Sequence, residues 1–103
     1  MTGHAEAAAA REGVALDVGC GVGAIVVLTA PGLAGREVEL SRAGARSPRV
    51  HTVVHERAAG STLVHAAVFV DVAEGAYDLW APSGSAERVR VGSGQIATVD
   101  WRT

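Results

Sequence analysis

The chain has 103 residues with nine basic and eleven acidic side chains, a formal net charge of −2 at pH 7, which excludes a second folded domain on length and any basic field for nucleic acid. Hydrophobic residues make up 49% and charged residues 19%, a balance that excludes a disordered chain. The longest apolar run, Ala24 to Ala30, falls well short of the roughly 20 residues that cross a bilayer, so no membrane partner is expected.

Residues 1–13, MTGHAEAAAAREG, read as a tail, flexible or with a short helix over Ala5 to Glu12, since isolated helices of this length are marginal. They lack both the basic and the Leu/Val-rich regions of a secretion signal, and the single Cys20 cannot form an intrachain disulfide. A reducing, cytoplasmic location is the expectation.

From Val14 the chain breaks into short β-prone runs bounded by Gly, Pro, Ser and Asp. They are Val14 to Val18, Ala24 to Thr29, Arg36 to Ser41, Arg49 to Arg57, Thr62 to Val70, Ala76 to Ala81, Arg88 to Val91 and Gln95 to Trp101. The spacing predicts an all-β fold over residues 14–103, a single antiparallel β-sandwich of about seven or eight short strands. Val64, Ala66, Val68 and Val70 share one face of their run, and Leu63, His65, Ala67 and Phe69 share the other. A strand apolar on both faces is expected to be central and covered on both sides. Tyr77 follows Gly75 by two residues, with Leu79 on the same face; the placement resembles the tyrosine corner of Greek-key sandwiches, whose phenol bonds upstream backbone. An ordinary core tyrosine is the alternative.

The segment Ala15-Leu16-Asp17-Val18-Gly19-Cys20-Gly21-Val22-Gly23-Ala24 looks like the first motif of class I S-adenosylmethionine methyltransferases, with Glu37 or Glu39 at a suitable distance for the ribose. That chemistry needs a helix directly after the glycines. Ile25-Val26-Val27-Leu28-Thr29-Ala30-Pro31 reads as a strand instead, which leaves S-adenosylmethionine or nucleotide binding as an outside alternative. The preferred reading gives Gly19, Gly21 and Gly23 to a tight turn or bulge.

Farther on, Val72-Ala73-Glu74-Gly75-Ala76-Tyr77-Asp78-Leu79-Trp80 and Val89-Arg90-Val91-Gly92-Ser93-Gly94-Gln95-Ile96-Ala97-Thr98-Val99-Asp100 are similar to small transthyretin-like or carboxypeptidase-regulatory-like β-sandwich domains. Ala24-Ile25-Val26-Val27 and Gly35-Arg36-Glu37-Val38-Glu39-Leu40 also resemble a group of uncharacterised actinobacterial proteins. The resemblance implies a fold and carries no catalytic motif.

His51, His55 and His65 are the candidate metal ligands. On one strand His51 and His55 project together about 13 Å apart at roughly 3.3 Å per residue, too far for one ion. A hairpin register opposing residues 55 and 65 would bring two imidazoles within about 5 Å at Cβ, a geometry suited to zinc or copper. A one-residue slip would send His65 to the other face. A third ligand would come from Glu56, Asp71, His4 or Cys20. Cys20 has no neighbouring His, Lys or Cys to lower its pKa and reads as a small turn residue. Serines 41, 47, 61, 83, 85 and 93 occupy turn-like contexts, and no Gly-x-Ser-x-Gly elbow occurs.

Trp80 and Trp101 are the candidate interface residues, with core packing as the alternative for both. Arg42, Arg46, Arg49 and Arg57 would recognise an acidic partner if they gathered at one end of the sandwich. With no assembled catalytic set and no catalytic or cofactor-binding residue assigned, the expectation is a non-enzymatic binding or accessory module. It would act through a protein partner or as a homo-oligomer, without cofactor. Divalent zinc or copper binding is the alternative.

Overall fold

A computed structural model describes residues 20–102. The strand candidate Val14 to Val18 and the tail at residues 1–13 lie outside the described residues. The elements in chain order are β1 (Val22–Thr29), a 3-10 turn at Pro31–Leu33, β2 (Glu37–Arg42), β3 (Arg49–Val53), β4 (His55–Ala59), β5 (Thr62–Ala73), β6 (Gly75–Trp80), β7 (Ala86–Val91) and β8 (Ile96–Trp101). Eight strands form two sheets, one ordered β4-β5-β1-β8 and the other β3-β2-β6-β7. The expected all-β sandwich is the fold.

Period-two alternation builds the interior. Ile25 and Val27 of β1, Ala67 and Phe69 of β5, Val38 and Leu40 of β2, Tyr77 and Leu79 of β6, and Val89 and Val91 of β7 all belong to one buried cluster. Side chains alternate faces along a strand, so the residues between them form the two outer faces of the sandwich.

Two departures from the sequence reading have local causes. The run Arg49 to Arg57 is two strands in different sheets, because Val54 is a corner. Its N–H donates to the Arg36 carbonyl at 3.0 Å and its carbonyl accepts from Gly35 N–H at 2.9 Å, while its side chain is buried in the core. The chain thereby leaves the β2 sheet at Val53 and enters the other at His55. Secondly, β8 pairs with β1 in parallel. It arrives from β7 of the opposite sheet and so runs alongside β1 in the same direction, making this one pair an exception to the antiparallel pattern.

The Tyr77 hydroxyl donates to the Ala73 carbonyl at 2.5 Å, four residues upstream, as the tyrosine-corner resemblance implies. It ties the end of β5 to β6 where the chain crosses between sheets. Gly23 is demanded by a close approach: a Cβ there would lie 2.5 Å from the Gln95 carbonyl oxygen and 2.5 Å from Val91 Cγ1. Gly21 leads directly into strand β1, which itself contains Gly23, and not into a helix; Gly19 lies outside the described residues. No helix among the described residues is long and apolar enough to cross a membrane.

Candidate binding groove

The β4–β5 hairpin turns on Gly60 and Ser61, and Ala59 opposes Thr62. Gly60 has φ of 65°, the positive value that the first central residue of a II′ hairpin turn needs. A two-residue loop fixes every later pair, so Glu56 opposes His65 and His55 opposes Ala66. The conditional register that would oppose His55 and His65 is therefore not formed, and the two imidazoles lie on opposite faces of their sheet.

His65 Nε2 lies 3.8 Å from Glu56 Oε2. His51 is in the other sheet, opposite Glu39, with its Nε2 3.7 Å from Glu37 Oε2. Among the described residues no three His, Cys, Asp or Glu side chains converge on a point where they could hold a metal ion. Of the third-ligand candidates, Cys20 is exposed in the turn before β1, Asp71 lies on β5, and His4 is outside the described residues.

The tryptophans are both half-buried. Trp80 Nε1–H donates to Ser41 Oγ at 3.0 Å, and the Arg49 guanidinium stacks on the Trp80 ring 3.8 Å from its centroid, a cation–π contact. Trp101 packs against the core while its Nε1–H donates to Glu87 Oε1 at 2.8 Å. Each is held within the fold by a hydrogen bond. Of the four arginines, Arg42, Arg46 and Arg49 lie along the β2–β3 hairpin, where Arg49 Nε–H donates to the Arg46 carbonyl at 2.7 Å; Arg49 is committed to Glu39 and Trp80, Arg42 approaches the Tyr77 ring, and Arg57 lies apart on β4, its Nε–H reaching toward the Ala66 carbonyl of β5.

The surface best formed for a ligand is one the sequence did not single out. Strand β5 runs twelve residues, yet β4 pairs only with Thr62 to Ala66. Among the described residues no strand pairs with Ala67–Ala73 on the side away from β1. Along this open edge runs a groove of about 480 Å³ between the two sheets, and every residue from Val68 to Ala73 lines it. Consecutive residues of both side-chain parities line a groove only when it follows the strand's edge and not a face.

Its opposite wall is β3, itself an edge strand, through Val50, His51 and Thr52, with Leu40, Phe69 and Tyr77 from the core at the floor. Val50 and Val70 beside the groove are 60% and 56% exposed. Opposite Ala24 the strand carries a β-bulge, since Gly23 pairs with Val72 while Ile25 pairs with Phe69. The extra residue restores Val72 to the interior, and Asp71 takes φ of 52°, a left-handed value that Asp tolerates better than most residues. Such a bulge divides the edge and restricts indiscriminate strand pairing. No family model, curated protein or solved structure matches this chain.

Proposed function

We propose that the protein is a non-enzymatic binding module that takes an extended, apolar segment of a protein partner as an added strand on the open edge of β5. Support comes from the stretch Ala67–Ala73, which no described strand pairs on the side away from β1, lying beside a groove walled by exposed Val50 and Val70. An open strand edge supplies backbone donors and acceptors that no small apolar ligand can use, and an added strand satisfies them while alternate side chains enter the groove. Because the bulge interrupts the edge, the added strand is short, so aliphatic side chains against Val50, Val68 and Phe69 supply specificity. A strand from a second copy would use the same surface.

Titration of the full-length, isotope-labelled protein with short extended peptides rich in alternating Val and Leu tests this reading. Amide shifts concentrated on Val68 to Ala73 and on β3 are expected. The double variant Val50→Asp/Val70→Asp, altering two exposed positions, should weaken binding at least about tenfold, the equivalent of roughly 1.4 kcal/mol. Shifts elsewhere, or equal binding by the double variant, would remove the groove from consideration. Light scattering across concentrations separates a foreign partner from self-association.

A further inference from the structure

The groove carries, at one end, a charge that its apolar walls do not answer. Arg42 closes β2 two residues after Leu40 of the core, so alternation sends its side chain to the same side of the sheet, toward the interior. It pairs with Tyr77 across the β2–β6 ladder, and its guanidinium carbon lies 5.7 Å from the centroid of the Tyr77 ring. Arg42, Tyr77 and Ala73 together line this end of the groove. Arg49, Arg88 and Arg102 each hold a carboxylate at 2.7–3.1 Å. Arg42 forms no ion pair with a carboxylate among the described residues, Asp71 and Glu74 at the facing end of β5 included.

The other two titratable residues that line the groove, His51 and Asp71, face elsewhere. His51 alternates with Val50 and lies opposite Glu39, on the outer side of its sheet, with Glu37 beside it. Phe69 and Val72 are both core residues, so the bulged pair between them, Val70 and Asp71, stands outside the interior, and both are exposed. Asp71 therefore keeps its water when the groove is filled. Arg42 does not, because a strand that reaches Ala73 lies over it. Taking a cation out of water without supplying an anion is strongly unfavourable, so a segment that fills the groove to this end has to bring one.

The topology also says what kind of anion. A strand added to Ala67–Ala73 lies in line with β4, whose first residue, His55, already pairs with Ala66. The added chain is stopped at that end and enters from the Arg42 end. The residue beside Arg42 is thus one that the chain passes through, and its negative charge belongs to a side chain and not to a terminal carboxylate.

We propose that the segment taken by the groove is acidic where it enters, with an Asp or Glu side chain paired to Arg42 and aliphatic residues beyond it against Val50 and Val68. The inference rests on the strand-addition reading above and names the charge of its partner.

Calorimetric titration of the full-length protein tests it with peptides that share one alternating Val/Leu core, are acetylated and amidated, and carry Glu, Gln or Lys at the first or the last position. At one of the two positions Glu should bind about fivefold more tightly than Gln, and high salt should shrink the difference. Arg42→Gln should bring that ratio to about one. Arg42→Glu should invert it, so that the Lys peptide becomes the tightest, a gain that misfolding cannot imitate. Equal binding of the Glu and Gln peptides, with amide shifts still on Val68 to Ala73, would overturn the pairing with Arg42 and leave strand addition standing. No binding by any of the peptides would remove both. A preference that appears only when the C-terminus is left unamidated would make the anion a chain end, and would overturn the proposal as well.

Discussion

The two sheets share one core but carry outer faces of opposite chemistry. On the β3-β2-β6-β7 sheet the outward residues Glu39, Ser41, Arg49, Asp78 and Arg88 are polar and held by hydrogen bonds or ion pairs, with Trp80 among them. Arg49 donates to Glu39 at 3.1 Å and stacks on Trp80, Trp80 donates to Ser41, and Asp78 accepts from Arg88 at 2.8 Å and from Gly44 N–H at 2.9 Å. On the β4-β5-β1-β8 sheet the corresponding centre is Ala24, Val26, Ala66 and Val68. Ordinary one-sided antiparallel sheets alternate apolar-in and polar-out, which describes the first face and not the second. Hydrogen bonds and ion pairs finish one layer, and burial finishes the other.

The apolar outer face tolerates a charge far less than the polar one tolerates losing an ion pair. Val26→Asp buries an unpaired carboxylate and should cost about 3–4 kcal/mol. The conservative polar exchange Glu39→Gln, which removes the half-exposed ion pair to Arg49, should cost only about 0.5 kcal/mol. Urea denaturation at neutral pH, with slopes compared to confirm two-state unfolding, measures both. Similar losses for the two variants would show that the faces are alike after all.

A smaller effect sharpens the polar side. Trp80→Ala removes the half-buried indole, the surface on which Arg49 stacks and the donor to Ser41, and about 2 kcal/mol is expected from lost area and cation–π contact. Trp80→Phe should recover much of that loss, since a ring face remains for the guanidinium and Ser41 keeps its bond to the Ala45 carbonyl at 2.6 Å. Equal losses for Ala and Phe would locate the stability in the hydrogen bond and not in the stack.

Sequence periodicity carried most of the fold because strands with one buried face write it as alternation. Glu37-Val38-Glu39-Leu40 does so, and Val38 and Leu40 are core. The corner at Val54 was not legible: Val53-Val54 continues a β-prone run, and what bends it is two backbone bonds to Gly35 and Arg36, long-range in origin. The histidine register, by contrast, was written in Ala59-Gly60-Ser61-Thr62, since Gly-Ser is a two-residue hairpin signal. Given its weight, it pairs 59 with 62 and sends His55 and His65 to opposite faces. The groove was illegible because an open edge depends on where a neighbouring strand stops, and β4 begins only at His55 owing to the same corner. Gly23 resembled part of a phosphate- or cofactor-type loop by composition, while its need for no side chain comes from Gln95 and Val91, more than sixty residues away.

The smallest effect separates the faces by pH. Asp78 on the polar face is held below the usual carboxylate value, first by the Arg88 side chain and then by Gly44 N–H. Both partners are remote in sequence and meet Asp78 only in the folded chain. A carboxyl whose pKa is lower folded than unfolded stabilises the fold above its unfolded value, near 3.9, and that contribution is lost as pH falls through the folded value. Asp78→Asn should therefore unfold at lower urea than the parent at pH 7, with the gap closing below about pH 4. Asp100, on the edge strand β8, is held at about 2 by Arg102. That partner is two residues away and exposed, so part of the interaction is available to the unfolded chain as well. Asp100→Asn should accordingly change the urea midpoint less than Asp78→Asn at pH 7, although both carboxyls are lowered. A larger change for Asp100→Asn would mean that the C-terminal pair is built by the fold, and would move part of the polar ordering to the apolar sheet's edge.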